Sequence, residues 1–148
     1  AVGLGLGAKQ LKKPWKTVCL MGDGECCEGS VWEAAMSAAH FKLDNIVGIV
    51  DRNRLMIDGC TEDVMALEPF ADKWRAFGWN VIEVNGHDLD ELDCALDAAW
   101  KAEGKPTLIL ANTVKGKGVD FMENNVVYHY ASGDSALCEK AKASIMRG

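Results

Sequence analysis

Short apolar runs alternate along this chain with longer segments in which apolar residues recur every three or four positions. Each run has the length of a strand, and the four runs occupy residues 17–21, 45–51, 79–84 and 107–112. Such runs predict strands, of which the first two are apolar enough to be buried, and the longer spacing predicts amphipathic helices. Strands that alternate with helices predict an α/β fold, a parallel sheet with helices on both faces.

The predicted helices have recognisable start signals. Ser30 followed by Glu33 forms a capping-box pattern, which predicts a helix over 30–42. Asp88 followed by Glu91 predicts a second helix in the same way. The residues of that second helix expected to face inward are Leu89, Leu92, Leu96 and Ala99.

Aromatic residues mark a third helix, which begins near Pro69 and ends at Gly78. Its inward side chains are expected to be Phe70, Trp74 and Phe77. A last helix is predicted near 134–147. Residues 113–133 show no clear periodicity, and a segment of that length inside a compact domain is usually functional or bound to a partner.

The first residues, AVGLGLGAKQLKK, lack a methionine and are typical of an apolar helix already under way. We therefore expect residues 1–148 to form a single domain that is incomplete at its N-terminus. Gly3, Gly5 and Gly7 precede a predicted strand instead of following one, so they favour helix packing over a dinucleotide-binding loop.

Composition narrows the classes of function. The chain has 148 residues, 49% of them hydrophobic, which is enough for one core. A formal net charge of −6 argues against nucleic-acid or anionic-membrane partners, because both require a basic surface. The six cysteines include no C-x-x-C pair, which favours reduced thiols in a cytoplasmic protein over a zinc site or a disulfide framework.

Gly22, Asp23 and Gly24 follow the first predicted strand directly, at the edge of the sheet where ligands gather in open parallel folds. The glycines let backbone N–H groups approach a ligand, and a nearby helix amino terminus favours an anion such as phosphate. Asp23 would repel phosphate unless a cation lay between them, and Mg²⁺ takes both carboxylate and phosphate oxygens. This stretch therefore predicts half of a metal–diphosphate site.

Asn53 supplies a candidate for the other half. It lies thirty positions after Asp23 (53 − 23), one helix and one strand later. An amide oxygen there, with a backbone carbonyl beside it, would complete the protein's share of metal ligands without adding charge.

These residues resemble the cofactor-binding motif of thiamine diphosphate enzymes, and the spelling GDGECCEGSVWEAAMSAAHFKLDNIVGIVDRNRLMIDG closely resembles transketolases. FGWNVIEVNGHD and ANTVKGKGVDFMENN are similar to transketolases too, so the resemblance covers nearly the whole chain. It implies the diphosphate-domain fold and the transfer of a two-carbon ketol unit between sugar phosphates, as in the pentose phosphate pathway.

The resemblance also assigns roles to residues. It implies that Asp23, the Asn53 side chain and the Leu55 carbonyl coordinate Mg²⁺ or Ca²⁺. The Gly24 N–H, next to Gly22, would contact the diphosphate.

Two further residues are implied in catalysis. Glu28 matches a glutamate at the subunit interface, near the partner's cofactor-activating glutamate. His129 falls where the family has a histidine beside the diphosphate and the reacting carbon, but it stands in a Y-H-Y context here instead of W-H-G. The resemblance implies a pyrimidine-binding C-terminal partner subunit in a homo- or hetero-oligomer, so that the chain alone would be inactive.

Alternatives remain at this stage. The chain could be a truncated, catalytically silent remnant that binds a cofactor or a partner, or a component of a 2-oxoacid dehydrogenase or a deoxyxylulose-phosphate synthase. Lys115 and Lys117 could contact phosphate or lie in a solvated loop. The residues expected to be structural are Cys26, Cys27, His40, His87, the turn Asp58–Gly59 and the tryptophans at 32, 74, 79 and 100.

Overall fold

The structure, a computed structural model, describes residues 1–130 and 133–147. The strands are β1 (Thr17–Gly22), β2 (Ile46–Arg52), β3 (Leu55–Met56), β4 (Gly59–Cys60), β5 (Asn80–Asn85) and β6 (Thr107–Asn112). The helices are α1 (Val2–Gln10), α2 (Gly29–His40), α3 (Thr61–Val64), α4 (Phe70–Ala76), α5 (Leu89–Lys101) and α6 (Ser135–Ile145). Two short 3₁₀ turns span Gly24–Cys27 and Val126–His129.

The main sheet is parallel throughout, with the strand order β1-β2-β6-β5, and β3 and β4 form a separate antiparallel hairpin. Gly22 lies beside Asp51 in the register, and Arg52 lies beside Asn112. Because all four strands run the same way, their carboxyl ends meet at one edge of the sheet. The predicted parallel sheet is confirmed.

Helices cover both faces of this sheet, as predicted. α2 and α4 pack on the face that carries Ile46 and Leu108. α5 packs on the opposite face, against Val47 and Ile109. Successive side chains of a strand point to opposite faces, so the uninterrupted apolar run of β2 serves both cores.

An aromatic cluster fills the core between α2, α4 and the sheet. The ring centroid of Trp74, which is 1% exposed, lies 5.0 Å from that of Trp79 and 5.3 Å from that of Trp32. Phe77 stacks on Trp32 at 5.6 Å, and the Trp79 indole N–H donates to the Ala35 carbonyl at 2.9 Å. The core role predicted for these three tryptophans is confirmed.

Glycine explains the close approach of α1 to β2. A Cβ added at Gly5 would come within 2.6 Å of the Ile46 side chain, so helix packing accounts for this residue as predicted. Gly3 and Gly7 have nothing within 4 Å of such a Cβ, and packing therefore does not account for them.

Several predicted helix boundaries are confirmed. Pro69 is the N-cap of α4, and Gly78, in the left-handed region with φ of +92°, follows that helix. Asp88 is the N-cap of α5, where its carboxylate accepts hydrogen bonds from the Asp90 N–H at 3.0 Å and the Glu91 N–H at 3.1 Å.

Two predictions for α5 are wrong. Leu89 is 80% exposed instead of facing inward, because at about 100° per residue it lies about 120° around the helix from the buried Ala95. The Glu91 carboxylate accepts from the Asn85 N–H at 2.7 Å, so it binds the end of β5 instead of closing a capping box.

The capping box predicted for α2 is also wrong. The helix begins at Gly29, and Glu28, with an extended backbone (φ −75°, ψ 132°), occupies the N-cap without a side-chain hydrogen bond to the helix. The preceding 3₁₀ turn, Gly24–Cys27, fixes this earlier start. Ser30 therefore lies inside the first turn, where its hydroxyl lies 3.4 Å from the Glu28 carboxylate.

The first strand is not buried as predicted. β1 is an edge strand, and the side chains of Val18 and Leu20 are 51% and 70% exposed. Among the described residues, α5 covers the neighbouring strands on that face but does not extend over these two side chains. Met21 points to the other face and packs against the core there.

The carboxyl-terminal part contains the predicted last helix. α6 is capped by Asp134, whose carboxylate accepts from the Leu137 N–H at 2.8 Å. The segment predicted to be irregular includes the 3₁₀ turn Val126–His129, and its residues 131 and 132 lie outside the described part of the chain. None of the helices described here combines the length and apolarity that crossing a membrane requires.

Candidate functional site

A cavity of about 520 Å³ opens at the carboxyl edge of the sheet, beside the ends of β1 and β2. The structure brings every site residue named from the sequence to the wall of this one cavity: Gly22, Asp23, Gly24, Glu28, Asn53, Leu55 and His129. Lining residues that the sequence did not single out as site candidates are Glu25, Asp51, Met56, Ile57 and Asp58.

Asp23 is the most buried acid of the site, with 1% of its surface exposed. Its Oδ1 accepts from the Gly24 N–H at 2.8 Å, and its Oδ2 accepts from the Arg54 N–H at 2.6 Å. The Asp23 N–H donates to the Asp51 carbonyl at 3.2 Å. The hydrogen bonds of Asp23 thus join the ends of β1 and β2, and Asp23 is the residue whose carboxylate was predicted to be a metal ligand.

Asn53 follows β2 directly and begins a turn of its own. Its Oδ1 accepts from the Leu55 N–H at 3.0 Å, while Arg54 between them adopts a left-handed φ of +63°. This turn leads into the hairpin β3–β4, whose two-residue tip is Ile57–Asp58. The tight turn predicted at Asp58 and Gly59 is offset by one residue, since Gly59 begins β4. Asn53 and Leu55 are therefore held in adjacent positions over the cavity.

Gly24 is the point of closest approach between the two halves of the site. A Cβ added there would lie 2.9 Å from the Cβ of Met56, on the first strand of the hairpin. Both atoms would belong to the stems of their side chains, so a rotation of Met56 could not relieve the contact. A larger residue at this position would displace the hairpin from the β1 end.

The donor set fits a hard divalent cation. Asp23 offers a carboxylate oxygen, Asn53 an amide oxygen, and Leu55 a backbone carbonyl, which are the ligand types of Mg²⁺ and Ca²⁺. The described residues contain no group of three or more His, Cys, Asp or Glu placed to hold a metal without other ligands. Further ligands would have to be water or oxygens of a bound anion, as is usual for Mg²⁺.

The charge of the cavity favours the same conclusion. Five acids line it, and the only described basic side chains on its wall are those of Lys115 and His129; the acids are Asp23, Glu25, Glu28, Asp51 and Asp58. An anion that entered alone would be repelled by this lining. An anion accompanied by a divalent cation would not.

Arg52 contacts Asp23, and the sequence analysis did not single it out. It is 2% exposed, and its guanidinium lies 2.9 Å from Asp23 Oδ2 in a buried ion pair. The predicted strand ended at residue 51, but Arg52 is the last residue of β2 and, like Val50 two positions before it, points to the buried face. That alternation was the signal in the sequence that could have identified it.

The two lysines of the K-G-K-G segment have different surroundings. Lys115 lines the cavity, whereas the Lys117 ammonium lies 3.5 Å from the Glu123 carboxylate at the surface. Lys115 therefore lies where it could contact a phosphate bound in the cavity, whereas Lys117 agrees with the alternative of a solvated loop.

The histidines also differ. His129 is exposed at the cavity wall, where its ring contacts that of Tyr130 at a centroid distance of 4.6 Å. The His87 Nε2 accepts from the Val114 N–H at 2.7 Å, and His40 packs edge-on against Phe41. The structural roles expected for His87 and His40 agree with these contacts.

The adjacent cysteines of the turn have a structural explanation. Cys26 is fully buried, and its thiol donates to the Gly22 carbonyl at 3.4 Å. Burial, with the nearby charges of Asp23 and Glu25, raises the pKa of Cys26 to about 12. Cys27 points outward, and all six cysteines are free thiols, as expected.

Comparisons with known proteins agree with this geometry. The chain is 45% identical over 140 residues to an apulose-4-phosphate transketolase subunit of Phocaeicola vulgatus, a match that covers 95% of this chain and 50% of that protein. It is 45% identical over 129 residues to a 6-deoxy-6-sulfo-D-fructose transketolase subunit of a Clostridium species, covering 87% of this chain and 47% of that protein. The chain thus spans about half the length of these curated relatives.

Solved structures give the same result. The crystal structure of transketolase from Campylobacter jejuni superposes on 98% of this chain and 24% of its own, with a TM-score of 0.90 and 34% sequence identity. Residues 11–145 match the family described as the thiamine diphosphate-binding domain of transketolase. The chain therefore belongs to the transketolase thiamine diphosphate-binding domain family.

Proposed function

We propose that this chain is the N-terminal, diphosphate-binding subunit of a transketolase assembled from two kinds of chain. Together with a pyrimidine-domain partner subunit, it would transfer a two-carbon ketol unit between sugar phosphates. The observation that supports this most directly is the convergence of Asp23, Asn53 and Leu55 on one acidic cavity at two neighbouring strand ends.

In this proposal, the protein ligands of Mg²⁺ or Ca²⁺ are a carboxylate oxygen of Asp23, the amide oxygen of Asn53 and the carbonyl of Leu55. Thiamine diphosphate, when bound, supplies the nucleophilic carbon that carries the ketol unit. The Gly24 N–H, which donates to Asp23 Oδ1 in this structure, would also face the diphosphate. Lys115 would offset part of the remaining negative charge at the cavity wall.

Glu28 and His129 are the proposed catalytic residues of this chain. Both are exposed at the cavity wall, where a substrate and a partner chain could reach them. Glu28 would face the partner's cofactor-activating carboxylate, and His129 would donate or accept a proton near the reacting carbon. The names of the relatives, which are subunits of transketolases, support an assembly with a second kind of chain.

The proposal is tested by titrating the chain, with and without its partner, with thiamine diphosphate and Mg²⁺ in a calorimeter. Asn53→Ala is the informative variant, since its side chain makes one hydrogen bond in the fold, to the Leu55 N–H. We expect wild type to bind both ligands and Asn53→Ala to bind at least about tenfold more weakly, as loss of a metal ligand predicts.

Asp97→Ala, at an exposed position of α5, is the control and should bind as wild type does. The proposal would be wrong if wild type bound neither ligand in the presence of the partner. Binding without ketol transfer would instead support the second interpretation, a catalytically silent cofactor-binding protein. The relatives reported above are named as transketolases, which disfavours a 2-oxoacid dehydrogenase or a deoxyxylulose-phosphate synthase component.

A further inference from the structure

The buried guanidinium of Arg52 lies at the centre of a charged network behind the site. One terminal nitrogen donates to Asp23 Oδ2 and to the Thr61 hydroxyl, both at 2.9 Å. The other donates to Glu62 at 3.1 Å and to Glu68 at 2.8 Å. A single side chain thus connects the proposed metal ligand to the segment that leads from α3 to α4.

The three carboxylates do not balance Arg52 equally. The side chains of Asp23 and Arg52 are 1% and 2% exposed, whereas those of Glu62 and Glu68 are 34% and 55% exposed. Water and salt screen the two glutamates far more than they screen the buried pair. Arg52 therefore cancels most of the negative charge that Asp23 would present to a cation.

Arg52 is not needed to orient that carboxylate. Asp23 Oδ1 accepts from the Gly24 N–H at 2.8 Å and Oδ2 accepts from the Arg54 N–H at 2.6 Å, so each oxygen has its own backbone donor. What Arg52 adds to the site is chiefly its positive charge. Orientation and charge are thus supplied by different groups.

We propose that Arg52 acts through Asp23 and weakens the binding of a bare divalent cation, so that the metal site depends on a diphosphate. Asp23, neutralised by Arg52, joins two uncharged ligands, Asn53 and Leu55, so a bare divalent cation gains little attraction from these three ligands. A diphosphate brings the missing negative charge, and metal and diphosphate then bind together. This inference rests on the proposed function and adds to it a reason why neither ligand should bind well alone.

The other acids of the cavity do not replace Asp23. The Glu25 carboxylate accepts from the Gly22 N–H at 3.1 Å, and that of Asp51 accepts from the Thr113 hydroxyl. The described residues form no group of three acids, histidines or cysteines that could hold a metal. These acids attract cations into the cavity but do not form a complete binding site for a bare ion.

The test is a titration of the full chain with Mn²⁺, in which free Mn²⁺ is measured by electron paramagnetic resonance. Each protein is titrated alone, with saturating inorganic pyrophosphate, and with saturating thiamine diphosphate. The Mn²⁺ that each diphosphate binds in solution is measured without protein and included in the fit. The measured quantity is the ratio of the Mn²⁺ dissociation constants without and with the diphosphate. Wild type should show a ratio well above ten.

Arg52→Met should bind bare Mn²⁺ about tenfold more tightly than wild type, because the charge of Asp23 is no longer cancelled. Arg52→Lys, which keeps the charge, should bind bare Mn²⁺ as weakly as wild type does, even though it cannot make all four hydrogen bonds. Arg75→Met is the matched control, because Arg75 also binds two carboxylates, Asp72 and Glu83, but at the surface. It should leave the binding of bare Mn²⁺ unchanged.

A purely structural role for Arg52 would lower the stability of Arg52→Met without tightening the binding of bare Mn²⁺, and that result would overturn the inference. If Arg52→Met does not fold, Glu68→Gln provides the test with the opposite sign. Removing this carboxylate leaves the Arg52 charge less balanced, so bare Mn²⁺ should bind more weakly, by a smaller factor because Glu68 is 55% exposed. Bare Mn²⁺ that bound Glu68→Gln as tightly as wild type would contradict the inference, and wild type that binds no Mn²⁺ even with diphosphate would overturn the proposed function as well.

Discussion

At the scale of single residues, the site depends on Gly24, where an added side chain would clash, and on Cys26, whose thiol is buried. Gly24 allows the hairpin to lie against the end of β1, since a Cβ there would meet the Met56 Cβ at 2.9 Å. Cys26 fills the space beneath the turn. Both features follow from packing around Asp23, and both can be tested by single substitutions or modifications.

Gly24→Ala should displace the hairpin and lower stability by about 1–3 kcal/mol, the usual range for overpacking. It should also weaken the binding of Mg²⁺ and thiamine diphosphate, because Leu55 moves with the hairpin. Gly29→Ala is the control, since an added Cβ there has nothing within 4 Å. Thermal unfolding and calorimetric binding measure the two effects, and equal behaviour of the two variants would contradict this account of Gly24.

Cys26 should be unreactive toward iodoacetamide at pH 8 in the folded protein, whereas Cys27 should be alkylated. Burial, reinforced by the charges of Asp23 and Glu25, raises the pKa of Cys26 to about 12, so almost no thiolate is present at that pH. Peptide mass spectrometry after a timed reaction measures both residues. If iodoacetamide modified Cys26 as fast in the folded protein as in the urea-unfolded protein, the thiol would not be buried as described, and this account of the turn would be wrong.

At the scale of secondary-structure elements, ion pairs as well as apolar contacts attach the segment from α3 to α4 to the sheet. Glu68 is bound to Arg52 at 2.8 Å and also accepts from the Phe70 N–H at 2.7 Å. Phe70 in turn lies under the guanidinium, with 5.5 Å between the Arg52 Cζ and its ring centroid. The start of α4 is therefore sensitive to the protonation of one carboxyl group.

The Arg52 hydrogen bond and the Phe70 N–H hold the pKa of Glu68 below its ordinary value of 4.5. A carboxyl with a lowered folded-state pKa contributes stability that is complete above its unfolded-state pKa and is lost as pH falls through the folded-state pKa. Glu68→Gln should therefore be less stable than wild type at pH 7 and should lose less stability on acidification below pH 4.5. Urea denaturation at several pH values measures this difference.

The exposed Glu103→Gln serves as the control for this experiment and should follow the wild-type curve. If Glu68→Gln lost as much stability as wild type on acidification below pH 4.5, the ion pair would not contribute as the contacts indicate.

The elements show which parts of the fold the sequence could predict. Apolar runs and helical spacing predicted all four strands of the main sheet, because these patterns arise from the local chain. Exposure of Val18 and Leu20 could not be predicted, since an apolar run looks the same whether or not a helix covers it. The start of α2 at Gly29 was missed because the 3₁₀ turn before it, not a side chain, sets the helix end.

At the scale of the whole molecule, the site follows from the topology. β1 and β2 are parallel neighbours, so residues 23 and 53, thirty positions apart in the chain, come together at one edge. The sequence predicted this meeting from strand order and a resemblance. It did not predict the ion pair between Asp23 and Arg52, because the predicted strand ended at residue 51 and the alternation of Arg52 with Val50 was overlooked.

We expect purified chain to show no ketol transfer alone and to acquire activity when the pyrimidine-domain partner is added. The reason is that the chain covers about half of relatives that are named as subunits, and the proposed catalytic residues lie exposed at an open cavity wall. A coupled assay with a ketose phosphate donor and an aldose acceptor measures the rate. Full activity of the chain without a partner would contradict the proposed assembly.

The central claim is that one divalent cation binds between the ends of β1 and β2 and holds a diphosphate there. The most direct measurement is anomalous diffraction from crystals grown with Mn²⁺ and thiamine diphosphate, with the partner subunit present if binding requires it. The account predicts a single strong peak in contact with an Asp23 carboxylate oxygen, the Asn53 amide oxygen, the Leu55 carbonyl and the diphosphate. A bound cofactor whose metal contacts neither Asp23 nor Asn53 would contradict it.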